Sequence, residues 1–316
     1  MTPEVTVVIP TRNRFERLNR TALRSALGQK GVELEVIVVD DGSSDGTADR
    51  LRELGEPRLR IIRLDENRGV AFARNTGIAA ARGRWLAFLD DDDLWSPRKL
   101  RSQLDAAAAA DADVVYGGVI SVDEHGVPGY AFPLPDPAEL PRRLLAGSAL
   151  PAGCSNVVAR TELVQTLGGF DERLFQLSDW DLWVRLAWAG RLAACDEPLV
   201  GYVEHAQNML VSDPRDVMVE LEYLARKHAT LRARHGTALD RRTFAHWVAW
   251  GHLRRGRRAG AARVFLRSGI ANRRPADLGL AAAFALRALV PLGRSWRGAP
   301  DARPAAPPPA WLERYR

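Results

Sequence analysis

Cysteine, lysine and long apolar runs are all scarce in this sequence of 316 residues. The two cysteines, Cys154 and Cys195, are too few for a disulfide framework, which favours a reducing compartment. No apolar run reaches the ~18 residues that a membrane-spanning helix needs, and the N-terminus has no signal-peptide layout. We therefore expect a cytoplasmic protein, either free or peripheral at the inner face of the membrane.

Two common nucleotide-binding signatures are also missing. No GxGxxG follows the first predicted strand and no GxxxxGK[ST] occurs, so neither a dinucleotide-binding fold nor a P-loop is supported. A nucleotidyltransferase, one alternative for this chain, would need a glycine-rich basic loop after the first strand. Residues 10–14 (Pro-Thr-Arg-Asn-Arg) contain no glycine, which weighs against that alternative.

Basic residues are abundant but unevenly spread. The formal net charge is +6, yet nearly all basic residues are arginine and alanine is frequent, which indicates a GC-rich genome. From Arg226 to Arg274 there are 14 Arg or Lys residues and one acid, Asp240. A basic nucleic-acid-binding protein is a second alternative, but it would leave acidic segments earlier in the chain unexplained, because carboxylates repel phosphate. We expect no nucleic-acid partner.

The apolar pattern predicts an α/β fold with a mostly parallel sheet. The first hundred residues alternate between short apolar strands and amphipathic helices, which is the pattern of βαβ units. The predicted strands of this part cover residues 5–10, 34–39, 59–64 and 85–89. Further strands are predicted at 112–122, 154–159 and 199–203, and residues 128–151 are predicted to be a long loop with one short helix near 137–145.

Polar residues follow three of these strands at the edge where parallel sheets bind ligands. The fourth strand ends in Asp90–Asp93, whose carboxylates repel one another and would be held together by a divalent cation such as Mg²⁺ or Mn²⁺. The alternative is a solvated acidic turn before a helix whose first turn contains Pro97. Because charged loops at 11–14 and 40–44 are expected at the same edge, a metal site is favoured.

These motifs, taken in order, resemble the family 2 glycosyltransferases, which are inverting enzymes with the GT-A fold. The resemblance runs from about Val5 to His205 and rests on four motifs. They are Val-Val-Ile-Pro-Thr-Arg-Asn-Arg at 7–14, Val-Val-Asp-Asp-Gly-Ser-Ser-Asp-Gly-Thr at 38–47, Asn-Arg-Gly at 67–69 with Ala-Arg-Asn-Thr-Gly at 73–77, and Phe-Leu-Asp-Asp-Asp-Asp at 88–93. It implies metal-dependent transfer of a sugar from a UDP- or dTDP-sugar to a hydroxyl of a glycan, natural product, peptide or lipid-linked sugar.

The resemblance also implies roles for individual residues. One residue of the Asp40-Asp41 pair would hydrogen-bond a uracil-type base, and Asp92 would bind the Mn²⁺ or Mg²⁺ cofactor directly. His205 would approach the metal or the diphosphate, although a single histidine after a strand is more often an ordinary surface residue. The implied nucleotide-binding residues are Pro10, Thr11, Arg12, Arg14, Asp40, Asp41, Arg74, Asp90 and Asp91.

An inverting transfer needs one carboxylate to take the proton of the attacking hydroxyl. After Gly-Gly-Phe-Asp-Glu at 168–172 the family has a Glu-Asp pair; here it reads Ser178-Asp179, so Asp179 is the implied base and Asp181 is the alternative. An ordinary helix start, with Ser178 as cap and both aspartates complementing the helix dipole, is the structural alternative. Contacts to the acceptor or sugar are expected from Trp180, Asp181 and Asn156.

The resemblance ends near residue 205, and the remaining chain is predicted to be mainly helical. We expect a GT-A domain at 1–213, a basic α-helical extension at 214–296 and a proline-rich flexible tail at 297–316. The helices of the extension are predicted at 216–235, 240–255, 259–268 and 276–290. The last helix is compatible with packing on the first domain, with a homodimer contact, or with lying on a membrane beside the arginine-rich helices.

Overall fold

The computed structural model describes residues 2–205, 217–254, 256–271, 273–287, 303–304 and 309–315. The chain forms two compact units. The first comprises residues 1–141, 149–204 and 302–316, and the second comprises residues 142–148 and 205–301. The sheet lies in the first unit, and the described secondary structure of the second is helical.

Four parallel strands form the N-terminal half of the sheet, in the order β3-β2-β1-β4. They are β1 (Val5–Thr11), β2 (Leu34–Asp40), β3 (Leu59–Arg63) and β4 (Trp85–Phe88). Every residue of β1 and β2 is buried, as expected for strands covered on both faces, and this accounts for their mostly apolar sequences. All four predicted strands are confirmed.

Helices connect these strands and set the edge at which the strands end. They are α1 (Phe15–Leu18, a π-helical turn at Asn19–Leu23, and Arg24–Leu27), α2 (Thr47–Glu53) and α3 (Val70–Ala80). Helix α3 lies very close to β1, since a Cβ added at Gly77 would come within 2.4 Å of Val8 Cγ1. The absence of a side chain at Gly77 therefore fixes how closely α3 packs on the sheet.

The second half of the sheet is mixed. It contains β5 (Leu94–Trp95), β6 (Val114–Val122), β7 (Pro128–Ala131), β8 (Val158–Arg160), β9 (Leu192–Val203) and β10 (Arg303–Pro304). Strand β6 pairs in parallel with β9 and antiparallel with β7 and β8, and β8 connects this half to β4. The helices along this part of the chain are α4 (Lys99–Ala110), α5 (Leu140–Ala146), α6 (Gly153–Asn156), α7 (Thr161–Thr166) and α8 (Ser178–Ala189).

Two predictions for this half need correction. Residues 154–159 were expected as one strand, but Gly153–Asn156 is a helical turn and β8 starts only at Val158. The reason is that the Ser155 and Asn156 side chains accept hydrogen bonds from backbone groups of Asp90 and Gly117, which a strand at 154–156 would not allow. The predicted loop at 128–151 contains β7 as well as a helix near the expected position.

The described end of the chain is folded, so the prediction of a flexible tail is wrong for these residues. Ala310–Tyr315 forms a 3-10 helix whose Leu312 is fully buried in a cluster with Leu94, Ile120, Val122 and Val203. The Nε1–H of Trp311 donates to the carbonyl of Pro198 at 2.9 Å. Residues 297–302 and 305–308 lie outside the described residues.

The second unit consists of five helices in its described part after residue 205. They are α9 (Val217–Lys227), α10 (Ala229–Arg234), α11 (Arg241–Arg254), α12 (Arg258–Ala271) and α13 (Pro275–Arg287). These confirm the predicted helices, the first being interrupted at His228, whereas 288–290 lie outside the described residues. The fully buried Asp277 accepts a hydrogen bond from Ser268 Oγ at 2.8 Å and lies 2.9 Å from His246 Nε2. Within the described ranges, no helix is both long and apolar enough to cross a membrane.

Candidate active site

The ends of β1 and β4 meet at one edge of the sheet and bring a threonine, an arginine and two aspartates together. Thr11 Oγ1 donates to Asp91 Oδ2 at 2.8 Å. Arg14 Nη1 donates to Asp91 Oδ1 at 3.1 Å and to Asp92 Oδ2 at 3.3 Å. These loops were predicted to share an edge because the strands are parallel, and the structure places them in direct contact.

The four adjacent aspartates have different surroundings. Burial raises the pKa of Asp91 to about 7, the charge of Asp92 adds to the rise, and Arg14 opposes it. Asp93 is fully enclosed, and burial together with the charges of Asp92 and Asp90 raises its pKa well above the usual range. The first three aspartates therefore form the candidate binding edge, while Asp93 is part of the core.

Ser155 holds the loop of residues 90–93 in place through two hydrogen bonds. The sequence analysis did not identify this residue. Its Oγ–H donates to Asp93 Oδ2 at 2.5 Å, and the same oxygen accepts a hydrogen bond from the Asp90 backbone N–H at 3.1 Å. The other carboxylate oxygen of Asp93 accepts from the Val203 N–H at 3.0 Å. The available signal was the small polar run Gly-Cys-Ser-Asn at 153–156, which is more typical of a turn than of a strand.

Arg74 on α3 lies beside residues Asp90–Asp93, which we call the acidic loop. Its side chain is only 6% exposed, and Nη2 donates to Asp90 Oδ1 at 2.5 Å. The guanidinium carbon lies 5.2 Å from the centre of the Phe170 ring. Its Nε is buried and has no hydrogen-bond partner. Arg74 is thus a nearly immobile positive charge beside Asp90.

The predicted Asp40-Asp41 pair divides into a structural residue and a candidate binding residue. Both carboxylate oxygens of Asp41 accept backbone hydrogen bonds, from Arg68 N–H at 2.7 Å and Gly69 N–H at 2.9 Å. Asp40 Oδ1 accepts from Ser43 N–H at 2.9 Å, whereas Asp40 Oδ2 is buried without a partner. A cavity of about 220 Å³ beside this strand end is lined by Asp40, Ser43, Ser44, Gly46, Thr47, Ala48, Asp49 and Arg63.

Asp179, the predicted base, lies in the first turn of α8 and belongs to the same group of charges. Burial raises the pKa of Asp179 to about 6; the charge of Arg74 and the hydrogen bond from Trp180 N–H to Oδ1, at 2.6 Å, oppose the rise. The charge of Asp90 raises it further. A Cβ at Gly153 would lie 2.6 Å from Asp179 Oδ2, so a glycine at 153 leaves that oxygen room.

The three residues predicted to contact the acceptor have side chains that face the core. Asp181 is fully buried and forms an ion pair with Arg185, whose Nη2 lies 2.7 Å from Oδ2. Trp180 is only 3% exposed, which leaves almost no ring surface for a sugar. Asn156 is fully buried, and its Oδ1 accepts from Gly117 N–H at 2.7 Å. The burial of Asp181 also argues against it as the alternative base.

The remaining predicted residues lie around this edge or beyond it. Pro10 is a buried residue of β1, and Arg12 is exposed on the loop that follows. His205 is half-buried and belongs to the second unit, so its role as a metal ligand stays a prediction. Across the described ranges, no three His, Cys, Asp or Glu side chains form a ready-made metal cluster.

Comparison with known proteins identifies the family. The model of "Glycosyl transferase family 2" matches residues 6–167, just over half of the chain. The succinoglycan biosynthesis protein ExoO of Rhizobium meliloti (strain 1021) is 39% identical over 226 residues, which are 66% of this chain and 63% of ExoO. WfgD of Escherichia coli, named a UDP-Glc:alpha-D-GlcNAc-diphosphoundecaprenol beta-1,3-glucosyltransferase, is 28% identical over 190 residues, which are 60% of this chain and 72% of WfgD.

A further relative matches over a shorter stretch. The putative teichuronic acid biosynthesis glycosyltransferase TuaG of Bacillus subtilis (strain 168) is 36% identical over 128 residues, 40% of this chain and 50% of TuaG. The chain therefore spans less than two thirds of the length of ExoO and of TuaG.

Solved structures agree with the fold. TarS 1-349 of S. aureus gives a TM-score of 0.55 at 18% identity, covering 90% of both chains. The mannosyltransferase PcManGT of Pyrobaculum calidifontis gives 0.53 at 19% identity, covering 92% of this chain and 88% of PcManGT. These neighbours confirm the predicted GT-A fold class. The family match across residues 6–167 shows that the chain belongs to glycosyl transferase family 2.

Proposed function

We propose that the chain is a glycosyltransferase that inverts the anomeric centre, using Asp179 as the base and a divalent cation at the acidic loop. The observation that carries the proposal is the position of Asp179. It is a partly buried carboxylate in the same electrostatic cluster as Arg74 and Asp90, with a pKa of about 6. A base whose pKa lies near the operating pH combines ionisation with useful basicity.

The donor is a uridine diphosphate sugar, with the thymidine analogue as the second candidate. Asp40 Oδ2 is a buried acceptor without a partner, and such an oxygen needs a donor when a ligand binds. The ring N3–H of uracil or thymine supplies one. WfgD is named for its use of UDP-Glc, and a TarS structure contains UDP-GlcNAc, which supports uridine. PcManGT was solved with GDP-Man, so guanine, which also has a ring N–H, is the competing base.

The residues of the acidic loop fit a divalent cation. Asp90, Asp91 and Asp92 present carboxylate oxygens, the ligand type that Mg²⁺ and Mn²⁺ prefer. The crowding and burial that raise the pKa of Asp91 are what a bound cation would offset. Asp92 is the proposed direct ligand, held in place by Arg14. When bound, the cation supplies neutralising charge to the diphosphate leaving group. The PcManGT structure contains Mn²⁺.

The reaction on this site would be a single displacement. Asp179 Oδ2 accepts the proton of the acceptor hydroxyl while the hydroxyl oxygen attacks the anomeric carbon, and the bond from that carbon to the diphosphate breaks on the opposite face. Arg74, fixed between Asp90 and Phe170, adds a positive charge beside the departing phosphate. The names of ExoO and TuaG refer to succinoglycan and teichuronic acid biosynthesis, and that of WfgD to a diphosphoundecaprenol-linked sugar, which supports a glycan or a lipid-linked sugar as the acceptor.

The decisive experiment compares donor binding with turnover. Thermal shift with UDP-, dTDP- and GDP-sugars, with and without Mn²⁺, should give the largest stabilisation with UDP species plus metal, and Asp92→Ala should remove the metal-dependent part. Asp179→Asn should retain donor binding but lose turnover by roughly 10²-fold or more. Asp105→Asn, an exposed carboxylate on α4, is the matched control and should keep both. Normal turnover by Asp179→Asn would assign the base to another residue.

A further inference from the structure

Helix α12 exposes a stripe of alternating arginine and aliphatic side chains. Arg263, Leu266, Arg267 and Ile270 are all exposed and follow one another at spacings of three, one and three residues, which places them on one face of the helix. Leu266 is 46% exposed and Ile270 is 66% exposed. We call these four residues the α12 stripe.

The opposite face of the same helix already supplies the packing of the second unit. Ala261 and Phe265 are fully buried and pack with Ala249 and Ala281 of the neighbouring helices. The α12 stripe is therefore not needed to form the helical core. An isolated exposed aliphatic residue would need no explanation, but two on one helical face beside two arginines form a mixed basic and aliphatic surface.

The apolar part of this face extends onto α13. A Cβ added at Gly269 would lie 2.7 Å from Leu278 Cδ2, so Leu278 packs against α12 at Gly269, which lies between Leu266 and Ile270 in the sequence. Leu278 is itself 38% exposed. Leu266, Ile270 and Leu278 thus present apolar surface on two adjacent helices of the same unit.

The charge around the stripe is of one sign. Residues 241–276 contain ten arginines and no Asp or Glu. The next acid, Asp277, is fully buried and bonded to His246 and Ser268. It is therefore enclosed within the helical unit and presents no negative charge at the surface. A partner for this face must accept both guanidinium groups and aliphatic side chains.

We propose that the α12 stripe docks on the surface of an anionic phospholipid membrane. Lipid phosphates are complementary to guanidinium groups, and the boundary between headgroups and acyl chains accepts Leu266, Ile270 and Leu278. A nucleic acid would match the arginines but would leave the aliphatic side chains against a charged backbone. A lipid surface accepts both the arginines and the aliphatic side chains of the α12 stripe, and α12 would lie on it.

Vesicle co-sedimentation tests this directly. The full-length protein should bind vesicles of phosphatidylcholine with about one third phosphatidylglycerol, bind pure phosphatidylcholine weakly, and dissociate as salt rises. Each arginine removed should lower the partition coefficient roughly fivefold, so that Arg263→Gln with Arg267→Gln reduces it by roughly 25-fold. Leu266→Ser with Ile270→Ser should also release the protein, because the apolar contribution is lost.

The controls use matched exposed residues of the first unit. Leu54→Ser, at 41% exposure, and Arg84→Gln, also exposed, should bind vesicles as the wild type does. Circular dichroism should show unchanged helix content for every variant, since all altered side chains are exposed. Equal binding to neutral vesicles, or equal loss in the controls, would overturn the proposal. Tighter binding to a DNA duplex than to the vesicles would also overturn it. The same holds if the protein self-associates in the absence of lipid and the Leu266→Ser/Ile270→Ser variant does not.

Discussion

At the scale of single residues, the ionisation of Asp179 should set the lower pH limit of activity. The carboxyl group must be deprotonated to accept a proton, and its pKa is raised to about 6 by burial. We expect kcat/KM to rise about tenfold per pH unit below 6 and to level off above 7. The midpoint of the pH profile of kcat should lie at higher pH, because a bound diphosphate adds negative charge near Asp179 and raises its pKa further. A kcat/KM independent of pH between 5 and 7 would contradict this role.

Lys99 is a second residue whose burial has a measurable consequence. It is fully buried, its Nζ has no hydrogen-bond partner, and the nitrogen lies 4.0 Å from the centre of the Trp95 ring. Desolvation of an unpaired charge costs several kcal/mol, which exceeds the ~2 kcal/mol that a buried cation–π contact returns. Burial accordingly lowers the pKa of Lys99 well below its usual value.

Lys99→Met should therefore stabilise the protein by about 1 kcal/mol or more at pH 7, measured as the free energy of unfolding in urea. Between pH 7 and pH 10 the unfolded wild type binds more protons than the folded state, because burial lowers the pKa of Lys99 in the fold, so wild-type stability rises with pH and the advantage of the variant shrinks. Lys30→Met, at an exposed position, should change stability little at either pH. A destabilised Lys99→Met variant would show that the ammonium group has a stabilising partner.

The position of a residue could be predicted where the topology of the sheet decides it. Thr11, Asp40 and Asp91 lie at one edge, as expected, because they follow parallel strands whose carboxyl ends meet. The different surroundings of residues adjacent in the sequence could not be predicted. Asp93 differs from Asp92 only through contacts with Ser155 and β9, which come from distant parts of the chain. The rotation of α8 likewise buries Trp180 and Asp181 while leaving Asp179 partly accessible.

At the scale of elements, the close packing of α3 on β1 depends on Gly77. An alanine there would place Cβ 2.4 Å from Val8 Cγ1, inside a strand that is buried throughout. Overpacking of this kind costs about 1–3 kcal/mol, more than the ~1 kcal/mol by which alanine favours a helix. We expect Gly77→Ala to lower the thermal stability and to weaken donor binding, since α3 also carries Arg74.

Gly279 is the matched control for this prediction. It lies in α13 with no atom within 4 Å of an added Cβ. Gly279→Ala should therefore be neutral or stabilising by up to ~1 kcal/mol. Thermal unfolding of both variants separates steric overlap from helix propensity, and a similar shift for both would refute the close-packing argument.

Length determined which elements could be predicted. Helices of 14 residues, such as α11 and α12, could be predicted because a helical sequence pattern extends over more than three turns. Helix α6 has only four residues, and its conformation is fixed by Ser155 and Asn156 bonding to other strands. Such a contact leaves no local pattern in the sequence.

At the scale of the whole chain, the 3-10 helix at Ala310–Tyr315 packs on β9, a strand beside the acidic loop. A Cβ at Gly201 of β9 would lie 3.4 Å from the Trp311 ring and 3.5 Å from Leu312 Cδ2. Strand β9 pairs with β5, which directly follows Asp93, and Val203 of β9 donates a hydrogen bond to Asp93. The sequence does not predict this contact, because the composition around the segment is rich in proline. A six-residue 3-10 helix is stabilised by burial rather than by local preference.

Leu312→Ala should therefore affect both stability and the site. Removing a fully buried leucine side chain costs about 2–4 kcal/mol in unfolding free energy, since it leaves a cavity among Leu94, Ile120 and Val122. Loosening β9 should also loosen the attachment of Asp93, and with it the loop that carries Asp92, so we expect weaker metal-dependent binding of the nucleotide sugar. Urea unfolding and donor titration measure the two effects, with Leu54→Ala, at 41% exposure, as the control. If Leu312→Ala were as stable as the control, the C-terminal helix would not be packed on β9.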